Sequence, residues 1–132
     1  MEIPGRVNSI DEFREILVRS QLVTVEEMDR LSVVYHNGYL ASSMLPHSIT
    51  AFCTFLITKG VISPWQCAKL RDGRWKGFFA DSYRILDHLE CDGNYSYYLA
   101  RENETGVCVR LRITPPSRTQ GSGIEYRVDR EF

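Results

Sequence analysis

A segment that repeats without a gap restricts a chain to folds in which two like units share one core, because neither copy can bury its apolar face alone. LVRSQLVTVEEMDRL, Leu17 to Leu31, lies over LITKGVISPWQCAKL, Leu56 to Leu70. In that register Leu17 matches Leu56, Leu22-Val23 matches Val61-Ile62, Thr24 matches Ser63 and Leu31 matches Leu70. Each copy reads as helix, short apolar turn, capped helix, so the pair predicts a four-helix bundle made of two helix-turn-helix repeats.

Capping chemistry places the helices. Ser9-Ile10-Asp11-Glu12 and Thr24-Val25-Glu26-Glu27 are capping boxes, in which a hydroxyl and a carboxylate satisfy backbone N–H groups at a helix start. Phe13, Ile16, Leu17 and Ser20 follow the first box on one face, and Met28, Leu31 and Tyr35 follow the second, with Gly38 expected to end that helix in a left-handed conformation. Ser48 caps a third helix carrying Phe52, Phe55 and Leu56 and stopped by Gly60; Ser63-Pro64 opens a fourth, stopped by Gly73. If both copies share one core, Leu17 and Trp65 are buried in it.

The period then changes. Tyr83 to Leu89, Tyr95 to Arg101 and Val107 to Ile113 read as strands joined by turns at Cys91–Asn94 and Asn103–Gly106. The chain is therefore expected to be α+β: a helical module over residues 1–76, then an antiparallel sheet of three to four strands over residues 77–132. Residues 114–123, rich in Pro, Gly and Ser, read as a flexible linker, and the alternating end IEYRVDREF as a short strand, with helix open for so short a piece. Val107, Val109, Leu111 and Ile113 give one strand an apolar face that needs a cover. The expected cover is the helical half, joined through Trp75, Phe78 and Phe79; the alternatives are the tail residues Ile124, Tyr126 and Val128, or a second copy.

Composition excludes several classes. With 132 residues, 43% hydrophobic and 25% charged, the chain has the makings of one globular domain or two small modules, and a net charge of −1 offers no global attraction to nucleic acid or anionic lipid. There is no apolar run of transmembrane length and no signal-peptide layout at Met1, so the chain reads as cytosolic. Cys53, Cys67, Cys91 and Cys108 lack a C-x-x-C pair, and His36, His47 and His88 lack metal-ligand spacing, so no metal is expected and the cysteines read as reduced and mostly buried. Asp87-His88 followed by Glu90 reads as a solvated strand edge rather than an acid/base site.

KGVISPWQCAKLRDGRWKGFFADSYRILDHL and YRILDHLECDGNYSYYLARENETGVCVRLRI together resemble the amino-terminal part of planctomycete-type bacterial serine/threonine protein kinases. In those proteins a helical segment of the G-x-L-T-x-W-Q kind leads into the first strands of the kinase N-lobe. The resemblance rests on that segment, the Tyr-x-Ile-Leu-Asp-x-Leu opening, Tyr98-Leu99-Ala100-Arg101 and the Thr105-Gly106 turn, and it covers most of the chain from about Phe13. It implies a glycine-rich loop of the form L-G-x-G-x-x-G, because only glycine lets the backbone close over phosphates. Aligned on Leu89, the three glycine positions hold Glu90, Asp92 and Tyr95, with Gly93 between them. The V-A-I-K element falls on Val109 to Arg112, so the phosphate-holding lysine corresponds to Arg112 and the small alanine over adenine to Arg110. Glu131 falls about where the lysine's carboxylate partner would be. These residues contain no H-R-D catalytic loop and no D-F-G segment.

The resulting expectation is a non-catalytic, pseudokinase-like protein-interaction or regulatory module, with no enzyme activity and no cofactor. One alternative is the front of a longer kinase-like polypeptide that binds ATP only with segments not present here. Another is nucleic-acid binding through Lys69, Arg71, Arg74 and Lys76 around Trp75 and Phe78. The expected partner is another protein, with a homodimer through the sheet or tail also open. Interaction is expected at Trp75, Phe78, Val109, Leu111, Ile124, Tyr126 and Val128.

Overall fold

The computed structural model describes residues 6–40, 48–114 and 125–131. It divides into two compact units, Met1–Lys76 and Gly77–Phe132. The first holds α1 (Ile10–Arg19), α2 (Val25–Val34), α3 (Ile49–Thr58) and α4 (Pro64–Arg71), with a π-helical turn over Tyr35–Leu40. All four helices start on the hydroxyl expected for them. Ser9, Thr24 and Ser48 accept the N–H of Glu12, Glu27 and Ala51 at 3.1 Å, and Ser63 accepts that of Gln66 at 3.0 Å. The reciprocal arm of the capping box is complete at Ser63, whose N–H donates to Gln66 Oε1 at 2.9 Å. Glu12 instead accepts the Asn8 N–H at 3.1 Å, and Glu27 accepts the Thr24 hydroxyl at 3.2 Å.

The repeat is longer than its sequence match suggests. Extending the register backwards pairs cap with cap, Ser9 with Ser48, and Phe13 with Phe52. The two phenylalanine rings meet edge-on, 6.3 Å apart at 89°, so the equivalent residues of the two copies touch each other at the centre of the unit. Extending it through the turns pairs Gln21, at φ 69°, with Gly60, at φ 74°. Both turns thus rest on one left-handed residue, which glycine adopts freely and glutamine does at a cost.

Phe13, Leu17, Phe52, Phe55, Leu56 and Leu70 form the buried core of this unit together with Tyr35. Two expectations fail here. Trp65 is only half-buried, and Gln66, 1% exposed, turns inward in its place because its amide is held in the capping box. Trp65 instead lies beside the Lys69 ammonium, 5.8 Å from the ring centroid, one turn along α4. Gly38 does not end α2 in a left-handed conformation, since the chain continues through the π-helical turn. The turn begins at Tyr35, whose ring is held by Phe52 and Phe55 at 4.9 and 5.2 Å.

Two of the four cysteines are core residues. Cys53 on α3 and Cys67 on α4 are buried, Cys108 is half-buried, and Cys91 is exposed, against the expectation of mostly buried thiols. A hydrogen bond to Cys67, reinforced by burial, pushes the Cys53 thiol up; the same bond, with Arg71 nearby, holds Cys67 down.

The second unit is an antiparallel sheet of five strands in chain order, one more than the upper expectation: β1 (Phe79–Ala80), β2 (Tyr83–Asp92), β3 (Tyr95–Glu102), β4 (Cys108–Thr114) and β5 (Glu125–Glu131). β2 runs past Leu89 to Asp92, and the linker expected over 114–123 lies outside the described residues except for Thr114, which ends β4. The tail is a strand, paired with β4 as Ile113↔Tyr126 and Leu111↔Val128.

Cross-strand pairs stand on one face, so Ile85↔Ala100 and Ala100↔Val109 mark the buried face, which continues through Leu111. Tyr126 joins this face from the far edge. Its hydroxyl donates to Asp81 at 2.7 Å, and its ring lies 6.1 Å from that of Tyr83. β2 and β5 are three strand spacings apart, about 14 Å in a flat sheet, so this contact requires the sheet to curl. Bulges in β2 after Ile85 and after His88, and in the β4–β5 pair at Arg110, provide the bend. The terminal segment, expected as an alternative cover for β4, is therefore its hydrogen-bonded neighbour within the same chain.

Candidate functional site

The five positions where the resemblance would place a phosphate cradle, its lysine and the alanine over adenine share one face of the sheet. Glu90 faces Tyr97 across β2–β3, Tyr97 faces Arg112, Leu99 faces Arg110 and Asp92 faces Tyr95, which sets them on the face opposite the buried one. Arg110 forms an ion pair with Glu90 and lies 3.3 Å from Asp129 on β5, while its guanidinium sits 4.2 Å from the centroid of the Tyr97 ring. Arg112 is placed likewise, 4.5 Å from the Tyr95 ring. Each guanidinium has an aromatic face beneath it, and that of Arg110 also has carboxylates at its edge, so these cations are engaged by the protein itself.

The turn above this lattice is short. β2 and β3 pair out to Asp92↔Tyr95, leaving Gly93 and Asn94 as a two-residue hairpin, with Gly93 at φ 62° in the first central position. A turn of that length has no span with which to arch over phosphates. Glu131 does not take the role the resemblance implies. It pairs with Val109 and so belongs to the opposite face from Arg112, whose neighbour on β5 is Arg127.

The residues expected to contact a partner are scattered. Phe78, Val109 and Leu111 are buried, at 2%, 2% and 0% exposure, which removes them from any docking surface. Tyr126 is half-buried and bound to Asp81, Val128 is exposed at the sheet edge, and Ile124 lies outside the described residues. Trp75 is half-buried, with Arg19 at 4.2 Å and Lys76 at 4.8 Å from its ring centroid. With Phe78 inside, the proposed basic-aromatic patch keeps a single ring that a base could stack upon.

Other chemistry is sparse. His88 Nε2 lies 3.4 Å from Cys91 Sγ, a contact the sequence did not single out, and His88 packs against Tyr98 at 5.0 Å. Reactive cysteines occupy electropositive settings, whereas Glu90 and Asp92 flank this one along the strand. On the buried-face side, a pocket of about 370 Å³ is lined by Tyr83, Val107 and Val109 with the carboxylates of Glu102, Glu104 and Glu131. Glu102 is held below the usual carboxylate range by hydrogen bonds from Thr105, whose N–H donates at 2.6 Å, and from the Glu104 N–H at 3.1 Å. Among the described residues no group of three or more His, Cys, Asp or Glu is placed to hold a metal ion, and no helix is long and apolar enough to cross a membrane. No protein-family model, curated protein or solved structure matches the chain.

Proposed function

We propose that the chain is a non-catalytic protein-interaction module, laid out like the front of a bacterial serine/threonine kinase but with the nucleotide positions given over to side-chain packing. The observation that carries this reading is the lattice of Glu90, Arg110 and Tyr97 beside Arg112 and Tyr95. A nucleotide entering there would have to displace a guanidinium from its carboxylates and ring. Its phosphates would then meet the charges of Glu90 and Asp92 without the backbone N–H cradle that glycines supply.

Magnesium-ATP at millimolar concentration should leave the melting temperature of the chain unchanged, because a ligand stabilises only by binding the folded state. A saturable rise would refute the reading and favour the ATP-binding alternative. Retention on heparin that weakens with salt would favour the nucleic-acid alternative, which now rests on Trp75 and its neighbouring cations.

A further inference from the structure

We infer that the groove between α1 and α2 is a docking site for a cationic amphipathic helix of a partner protein. The inference rests on the interaction-module reading and adds the partner's chemistry. The groove is open to solvent along its length and offers about 530 Å³, room for side chains of a partner laid across it. Val18, Val25 and Met28 supply its apolar lining, and Val25 stands 57% exposed there. Asp11, Glu15 and Asp29 supply its polar lining. Among the described residues Arg14 is the one cation of the lining and is shared between Asp11 and Asp29 at 3.8 Å each, which leaves three carboxylates against one guanidinium. Glu15 has no cation within ion-pair distance among the described residues.

The other repeat shows that these charges are not needed to build the unit. Its packing positions are kept, Phe13 as Phe52 and Leu17 as Leu56, whereas Thr50, Thr54 and Ala68 stand where Asp11, Glu15 and Asp29 stand. Arg14 offsets Asp11 and Asp29, and Asp11 also lies in the favourable first turn of α1, whereas Glu15, one turn on from Asp11 and repelled by it, gains neither. A ligand bearing positive charge would gain. α1 has ten residues and is about 15 Å long, which matches a partner helix of about three turns with apolar anchors at i, i+3 or i+4, and i+7. Lysine or arginine beside those anchors would meet Glu15, Asp11 and Asp29 at the rim.

The test is a phage-displayed library of amphipathic helical peptides selected against the full chain and against the variant Glu15→Lys/Asp29→Lys. Both positions are exposed, so the variant should keep its fold, which the melting temperature verifies; Val25→Lys provides a second variant on the apolar side. The expected consensus has apolar residues at helical spacing flanked by lysine or arginine. The best peptide should lose about tenfold in affinity on the double variant and weaken as salt is raised. Failure to enrich peptides, an acidic consensus, or affinity unchanged by the variants would overturn the inference, as would a concentration-dependent dimer of the chain that those variants dissolve. Peptides that bind elsewhere, mapped by amide shifts, would remove the groove and leave the module reading standing. A magnesium-ATP shift in the same chain would remove the module reading itself.

Discussion

Replacing Phe52 by alanine should destabilise the helical unit by about 4 kcal/mol, near the middle of the range for a buried phenylalanine. Phe52 is 1% exposed and touches three other rings, Phe13 at 6.3 Å, Tyr35 at 4.9 Å and Phe55 at 6.3 Å. Rigid rings close poorly over a gap, so the cavity persists and its cost adds to the lost burial. A unit spanning Met1–Lys76 is expected to have about 4 to 11 kcal/mol of stability, from roughly 0.05 to 0.15 kcal/mol per residue, so the substitution removes a third of it or more. Both tryptophans, Trp65 and Trp75, lie in this unit, and urea unfolding followed by their fluorescence therefore reads the helices without the sheet. The Phe13–Phe52 contact adds a sharper test. In a double-mutant cycle of Phe13→Leu and Phe52→Leu, the edge-on pair should show a coupling of about 1 kcal/mol. A cost below about 1 kcal/mol for Phe52→Ala, or strict additivity in the cycle, would show that the two copies do not share a core.

The turns make an asymmetric prediction: Gly60→Ala should cost about 1 kcal/mol through its left-handed backbone, although its Cβ would meet open space, whereas Gln21→Gly should be neutral or stabilise by about 0.5 kcal/mol. Urea titrations of the two variants decide this. Glu102, held below its ordinary value of 4.5, contributes stability that is fully present above that value and is lost as the pH falls through the lower, folded-state value. Glu102→Gln should therefore flatten the acid limb of the sheet's unfolding profile, read by tyrosine near-ultraviolet dichroism, and an unchanged limb would contradict the hydrogen bonds to the 102–105 turn.

What the sequence made legible was mainly local chemistry. A hydroxyl just before an apolar helical run marks a helix start, reinforced at Ser9, Thr24 and Ser63 by Glu12, Glu27 and Gln66 three residues on, and Ser9, Thr24, Ser48 and Ser63 are all caps. The left-handed Gln21 has no signal of its own, since glutamine is not a turn residue; the register that sets it over Gly60 held the clue. Helical spacing alone does not distinguish Trp65 from Gln66, and the side-chain hydrogen bond of the cap decides which one turns inward. In β2 the bulges after Ile85 and His88 break the alternation, so the strand seemed to end at Leu89. The five degenerate positions are each visible in the sequence one at a time. Their assembly depends on the β2–β3–β4 register and on Asp129 from β5, and neither is written in any one segment.

The most direct test of the nucleotide-free reading is an amide nitrogen–proton spectrum of the full chain titrated with magnesium-ATP. The amides of residues 89–98 and 108–113 should stay in place, with Arg110 remaining on Glu90 and Tyr97. Saturable shifts centred on Glu90, Tyr95, Arg110 and Arg112 would show that the guanidiniums can leave their partners for phosphate, and would contradict the account.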